Sequence, residues 1–242
     1  MSYPNLKLAL ALVAGLGLAE SALAAKPITP QTIEQAAKTI TGQASLPVDG
    51  MKVLQSEGKL YFISGNGRYV FRGEVYDTWL QSHIDTIAQA QESSSRILLS
   101  KMGVKIDDLL SIRMGHGAKE VVFFTDPQCS YCHALANEAN QYTSEYTFVF
   151  VPVPALGDES NRLIKRLACA RDERQQLDAL LNGTIEQLET LNKCPEEKYA
   201  KSLVTANLLG VDGIPYLISD DGRVSRGRPK NFEAWLSGKG DQ

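Results

Sequence analysis

Five residues near the middle of the chain, Cys129-Ser130-Tyr131-Cys132-His133, carry the most chemistry per residue in this sequence. Two cysteines two residues apart can exchange disulfides with a partner. The same spacing supplies half of a zinc site, and with the following histidine it matches the attachment pattern of a c-type haem. The pentapeptide alone does not choose among the three, so the surrounding elements must.

Val121 to Phe124 is a continuous apolar run of strand-forming residues, which predicts a central strand buried on both faces. Pro127 follows, and a helical pattern begins at the cysteine and runs through CSYCHALANEANQYTSE. Cys129 is therefore expected at a helix N-terminus. Unpaired backbone N–H groups and the helix dipole favour negative charge there, which stabilises a thiolate and lowers the thiol pKa. Cys132, one turn deeper on the same face, is placed to attack a mixed disulfide and resolve it. His133 follows directly and either adds positive charge nearby or is a surface residue without a role.

The competing readings lack partners. Haem needs a distal ligand, and the candidates Met102, Met114, His83 and His116 do not lie in a helical pocket pattern. Structural zinc takes four ligands. Cys129, Cys132 and His133 offer three crowded ones, and the chain has no second C-x-x-C. Neither a metal nor a cofactor is expected. A second anchor, Gly213-Ile214-Pro215-Tyr216, begins a later strand, where proline is tolerated. In a thioredoxin-like sheet this proline is cis and packs against the redox pair; its place after a helix and before a hairpin favours that over a plain trans strand-start proline.

Other segments set the context. The chain has 242 residues, 43% hydrophobic, with a net charge of −3, enough for a substantial core. The charge balance has no basic excess of the kind that nucleic acid attracts. Residues 1–24 read as a secretory signal peptide: Lys7, an apolar run from Leu8 to Leu18, and Ala22-Leu23-Ala24 as a small-x-small cleavage site. A buried N-terminal helix is the alternative. The mature chain would then start near Ala25, outside the cytoplasm, where disulfides persist. The four cysteines allow three pairings. The close pair most simply bonds to itself, which leaves Cys169 and Cys194 for each other.

Residues 25–78 read as a small domain. A short amphipathic helix is predicted from Ile33, Ala36, Ala37 and Ile40, with Gly42 past its end, followed by strands in MKVLQS, KLYFIS and RYVFRG. A core this thin often needs a partner, and an edge strand can supply one by pairing with a second copy. Residues 79–109 read as a connection, with one partly solvated helix running from Asp77 to Met102 and ending near Gly103. Residues 110–242 read as strands around the Gly115-His116-Gly117 turn, the helix after Cys129, a strand in YTFVFVPVP, a helical block over 158–208, a hairpin turning at Asp221-Gly222 and a closing helix. That order, β-α-β, helices, β-β-α, is a thioredoxin-like fold with a helical insertion, so the chain as a whole is α+β.

Three stretches together resemble the periplasmic disulfide isomerases DsbC and DsbG: FFTDPQCSYCHAL, GVDGIPYLISDDGRVSRG, and an N-terminal module with GRYVFRGEVYDTW. The resemblance implies a V-shaped homodimer joined through small cystatin-like N-terminal domains, with a linker helix to each catalytic domain. It also implies a cleft for misfolded or mis-oxidised secreted proteins and a DsbD-like membrane reductase. It makes Cys129 the attacking thiolate, Cys132 the resolving thiol and Pro215 the cis proline, and matches Cys169–Cys194 to the family's structural disulfide. That bond would close a loop of about 25 residues, worth roughly 3–4 kcal/mol in the chain-entropy model.

Two positions depart from the family. Ile214 stands where DsbC-like proteins commonly carry Thr, and is more like reducing thioredoxins. Ser130-Tyr131 stands where Gly-Tyr is more usual. Both positions adjoin the redox pair and can move its potential. The expected activity is thiol–disulfide isomerisation of secreted proteins. A reductase or oxidase of the same fold, and a dimeric chaperone-like binding protein, are the alternatives.

Overall fold

The computed structural model describes residues 39–46, 50–194 and 196–239. The expected signal peptide and nearly all of the first predicted helix lie outside the described residues.

The N-terminal layer is an antiparallel sheet in the order β1-β2-β3-β4: β1 Ile40–Ser45, β2 Lys52–Ser56, β3 Lys59–Ile63 and β4 Val70–Phe71. The three predicted strands are β2, β3 and β4. Strand β1 corrects the helix expected through Ile40. Ile40 and Thr41 are β-branched, which favours extended backbone, and the β1–β2 register shifts between Ile40 and Gly42. Strands β2 and β3 join through Glu57 and Gly58, both at positive φ (51° and 74°), as a two-residue hairpin turn of the primed kind requires. This layer has its own core of Val53, Phe62, Leu46, Ile84 and Ala90.

The connection is less helical than expected. Tyr76–Asp77 (β5) and Ser82–His83 (β6) form a small hairpin, and helix α1 covers only Ile87–Ser95. The Asp77 carboxylate accepts the N–H groups of Trp79 and Leu80, which folds a turn where the helix was expected to start. Helix α1 begins in a capping box between Thr86 and Gln89. It ends in Ser93-Ser94-Ser95, where the Ser94 and Ser95 hydroxyls donate to carbonyls three residues back and compete with the helical ladder. Beyond it Arg96 bridges to Arg223, and the Ile97 N–H donates to the Gly222 carbonyl at 2.7 Å.

The C-terminal part is a five-stranded sheet in the order β11-β10-β8-β9-β7: β7 Ile112–Met114, β8 Lys119–Thr125, β9 Tyr146–Pro152, β10 Tyr216–Ile218 and β11 Val224–Arg226. β8 and β9 are parallel, and the other pairs are antiparallel. The strands flanking Gly115-His116-Gly117 do not pair with each other, because β9 lies between them. Glycine is what permits this crossing: a Cβ on Gly117 would sit 1.9 Å from the Glu145 carbonyl carbon, and one on Gly115 would sit 2.4 Å from the Tyr146 oxygen.

Side chains of β8 alternate between two cores, as the pleat demands. Val121 and Phe123 pack with Leu135, Phe148, Phe150 and Trp235, while Val122 and Phe124 pack with Val151, Leu209, Tyr216 and Ile97. Helix α2 (Ser130–Ala139) follows β8. The insertion contributes α3 (Asp158–Ala168), α4 (Arg174–Asn182) and α5 (Glu197–Leu208), and α6 (Phe232–Leu236) closes the chain.

Candidate functional site

The site forms where β8 ends and α2 begins. The Cys129 N–H donates to the Asp126 carbonyl (3.0 Å), which turns the chain sharply after the strand. Cys129 is the N-cap of α2, and its Sγ accepts the Cys132 N–H at 3.1 Å. No acidic residue occupies the first turn of the helix, so no carboxylate there offsets the positive end of its dipole. Cys129 and Cys132 form a disulfide, with Cα atoms 5.2 Å apart. Cys129 is the more accessible, 6% exposed against 1% for Cys132.

His133 is half-buried. Its Nε2 lies 2.8 Å from the Pro127 carbonyl and its Nδ1 lies 3.2 Å from the Leu181 carbonyl at the end of α4. Both neighbours are acceptors, so a neutral ring donates to one of them and only a doubly protonated ring donates to both. The ring ties the turn before Cys129 to the insertion. Ser130 and Tyr131 point outward, and Tyr131 is 74% exposed.

The Ile214–Pro215 peptide bond is cis, as the sequence context predicts. Strand β10 lies beside β8 with Tyr216 opposite Phe124. Pro215 is buried, and Ile214 packs against the core cluster that contains both Cys129 and Cys132. Cys169, the C-cap of α3, is bonded to Cys194 across 25 residues. That bond fastens α3 to the segment before α5. Among the described residues, no group of three or more His, Cys, Asp or Glu side chains converges as a metal site.

Sequence reasoning did not single out Asp126, three residues before Cys129. It is 1% exposed, and its carboxylate accepts hydrogen bonds from Gln128, Leu156 and Ser160. A charged residue ending an apolar strand was the available signal. The same cluster extends to Tyr199, whose hydroxyl donates to Asn161 at 2.7 Å. Burial, and then the negative charge of Asp126, push that phenol above its ordinary pKa.

The chain is 24% identical over 199 residues to the thiol:disulfide interchange protein DsbC of Salmonella typhimurium, covering 80% of this chain and 79% of that one. It is 21% identical over 195 residues to DsbC of Escherichia coli K12, 78% of each. Among solved structures, a disulfide interchange protein from Neisseria gonorrhoeae gives a TM-score of 0.46 at 22% identity, over 57% of this chain and 99% of that one. Proteus mirabilis ScsC in a transitional conformation gives 0.49 at 17% identity, over 63% and 83%. The family model of the thioredoxin-like domain matches residues 107–237, more than half of the chain. With its cysteine pair capping the helix after the central strand and a cis proline on the neighbouring strand, this chain belongs to the thioredoxin-like family.

Proposed function

We propose that the protein is a thiol:disulfide interchange enzyme that isomerises incorrect disulfides in secreted proteins. The observation that carries this reading is the Cys129–Cys132 pair at the N-terminus of α2, with Cys129 the less buried residue of the two. The DsbC relatives support it.

In the reduced form, the Cys129 thiolate attacks a client disulfide. A bond forms between Cys129 and one client sulfur, the client S–S bond breaks, and the second client sulfur leaves as a thiolate. Another client thiolate then attacks the mixed disulfide, forms a different client disulfide and returns Cys129 as a thiolate. Alternatively the Cys132 thiolate attacks Cys129, which releases the client as a dithiol and leaves the pair oxidised, two electrons having passed to the client. Pro215 lines the approach to the pair, and Ser130, Tyr131, His133 and Ile214 modulate its potential. Cys169–Cys194 holds the insertion in place.

The domain reading supports a dimer. Residues 25–78 serve as the dimerisation module, 79–109 as the connection and 110–242 as the catalytic domain. Strand β4 lies at a sheet edge, and Tyr69, Val70 and Phe71 are about half exposed there. An apolar edge of this kind invites pairing with a second copy. The expected setting is the periplasm, reached through a cleaved signal peptide, with a DsbD-like membrane reductase returning electrons to an oxidised pair. A chaperone-like holding activity on the same surfaces is the second reading, motivated by that exposed edge.

The test is a trap. A Cys132→Ser variant, reduced and mixed with a disulfide-bonded client, should accumulate a covalent complex through Cys129 that dithiothreitol dissolves. Adding Cys129→Ser to the same chain should abolish the complex. A complex that survives the second substitution would refute the assignment.

A further inference from the structure

Asp126 is where β8 ends and the redox turn begins. One carboxylate oxygen accepts the Gln128 N–H at 2.8 Å and the Ser160 hydroxyl at 2.7 Å. The other accepts the Leu156 N–H at 2.9 Å. The residue's own carbonyl accepts the Cys129 N–H. Asp126 thus folds the turn that leads to the nucleophile and also binds it to the insertion. Leu156 and Ser160 bracket Gly157, the N-cap of the 11-residue helix α3, so the carboxylate lies against the positive end of that helix. Ser160 is fully buried, and its oxygen is also 2.9 Å from the Gln128 amide. The one hydroxyl proton of Ser160 is within donating distance of both the Asp126 carboxylate and the Gln128 amide oxygen, and goes to one of them at a time.

We propose that Asp126 is a positioning residue for the redox pair: it holds the Asp126–Cys129 turn against α3, so that the reduced Cys129 sulfur stays on the N–H of Cys132. The inference rests on the reading of Cys129 as the attacking thiolate. In the oxidised form the Cys129–Cys132 bond fixes that sulfur by itself. In the reduced form the turn does so, together with the His133 N–H that donates to the Cys129 carbonyl and the His133 ring beside the Pro127 carbonyl. Keeping the Cys132 N–H on the Cys129 sulfur stabilises the reduced form, because that hydrogen bond is stronger to a thiolate than to a disulfide sulfur, and so raises the reduction potential. A purely electrostatic role has the opposite sign: a buried negative charge near a thiolate disfavours the thiolate.

The sign of the change therefore separates positioning from repulsion. Asp126→Asn keeps the shape but turns an N–H donor toward Leu156 or Ser160. Ser160→Ala keeps the charge and removes one restraint. Both are compared with the wild-type full chain by thiol trapping across a glutathione redox series, with the Cys129 thiol pKa followed by thiolate absorbance. Asp126→Asn should shift the equilibrium toward the disulfide about tenfold, equal to about 30 mV for this two-electron couple, and raise the Cys129 pKa. Ser160→Ala should move both in the same direction by a smaller factor. No change in either variant, or a higher potential in Asp126→Asn, would overturn the proposal. If Asp126→Asn does not fold, Ser160→Ala decides alone, and an unchanged potential there overturns it. A wild-type pair that does not equilibrate with glutathione would refute the redox reading itself, a result distinct from any difference between variants.

Discussion

Tyr216 lies directly opposite Phe124 in the sheet, with the two rings edge to face and their centroids 6.0 Å apart. Continued by one residue, this register sets the cis Pro215 at the level of Thr125. Continued by two, it sets Ile214 level with Asp126, where the chain turns toward Cys129. The two motifs are 83 residues apart in sequence, from Cys132 to Pro215. Antiparallel pairing of β8 and β10 makes them neighbours. The large side chains opposite one another anchor that register, because a slip of one residue would turn a buried set of side chains to the other face.

Ile214 packs against the cluster that holds both cysteines, and its side chain has no hydrogen-bonding group. Ile214→Thr places a hydroxyl there that can donate to the thiolate. A net gain of about 1.4 kcal/mol for the reduced form raises the potential by about 30 mV. A glutathione titration checks this, and an unchanged potential would show that the side chain of residue 214 does not reach the pair.

The Cys169–Cys194 bond closes a 25-residue separation that includes helix α4. Replacing both cysteines with serine should lower stability by roughly 3 kcal/mol through the wider unfolded ensemble. Denaturant melts of the oxidised protein measure this. The Cys129–Cys132 pair should remain able to form.

Asp221 gives the β10–β11 hairpin a pH dependence. Burial alone would raise its pKa, but hydrogen bonds from Arg223 and Ser219 outweigh burial and hold the carboxyl below its ordinary value of 3.8. A carboxyl with a depressed folded-state pKa contributes stability above its unfolded-state pKa and loses it as the pH falls through the folded value. Asp221→Asn should therefore be less stable than wild type at pH 7, and the gap should close below pH 3.8. Thermal melts across that range check the sign. A gap that widens in acid would contradict it.

Self-association through the β4 edge predicts that Val70→Lys, which puts a charge on an exposed edge position, converts the protein to a monomer. Sedimentation equilibrium reads the mass. A variant that keeps a dimer mass would place the interface elsewhere.

Much of the site was legible in the sequence because its signals are local. An apolar strand, a helix-capping cysteine and a strand-starting proline each announce themselves within a few residues. The segment between Asp77 and Met102 was not legible in the same way. Its apolar residues fit a helical stripe, but Asp77 accepts backbone N–H groups and the serine run competes for carbonyls, and both act against the pattern. The crossing at Gly115 and Gly117 depends on the backbone of β9, some 30 residues away, so the expected strands and turn carried no sign of it. Asp126 was missed because its partners Leu156 and Ser160 lie across the fold.

The most direct measurement is the reactivation of scrambled ribonuclease in a glutathione buffer by the wild-type protein beside its Cys129→Ser variant. The account predicts reactivation by the wild type and background rates for the variant, since a serine hydroxyl stays protonated at neutral pH and does not exchange with disulfides. Equal activity in both would contradict the central claim that the Cys129 sulfur at the N-terminus of α2 does the chemistry.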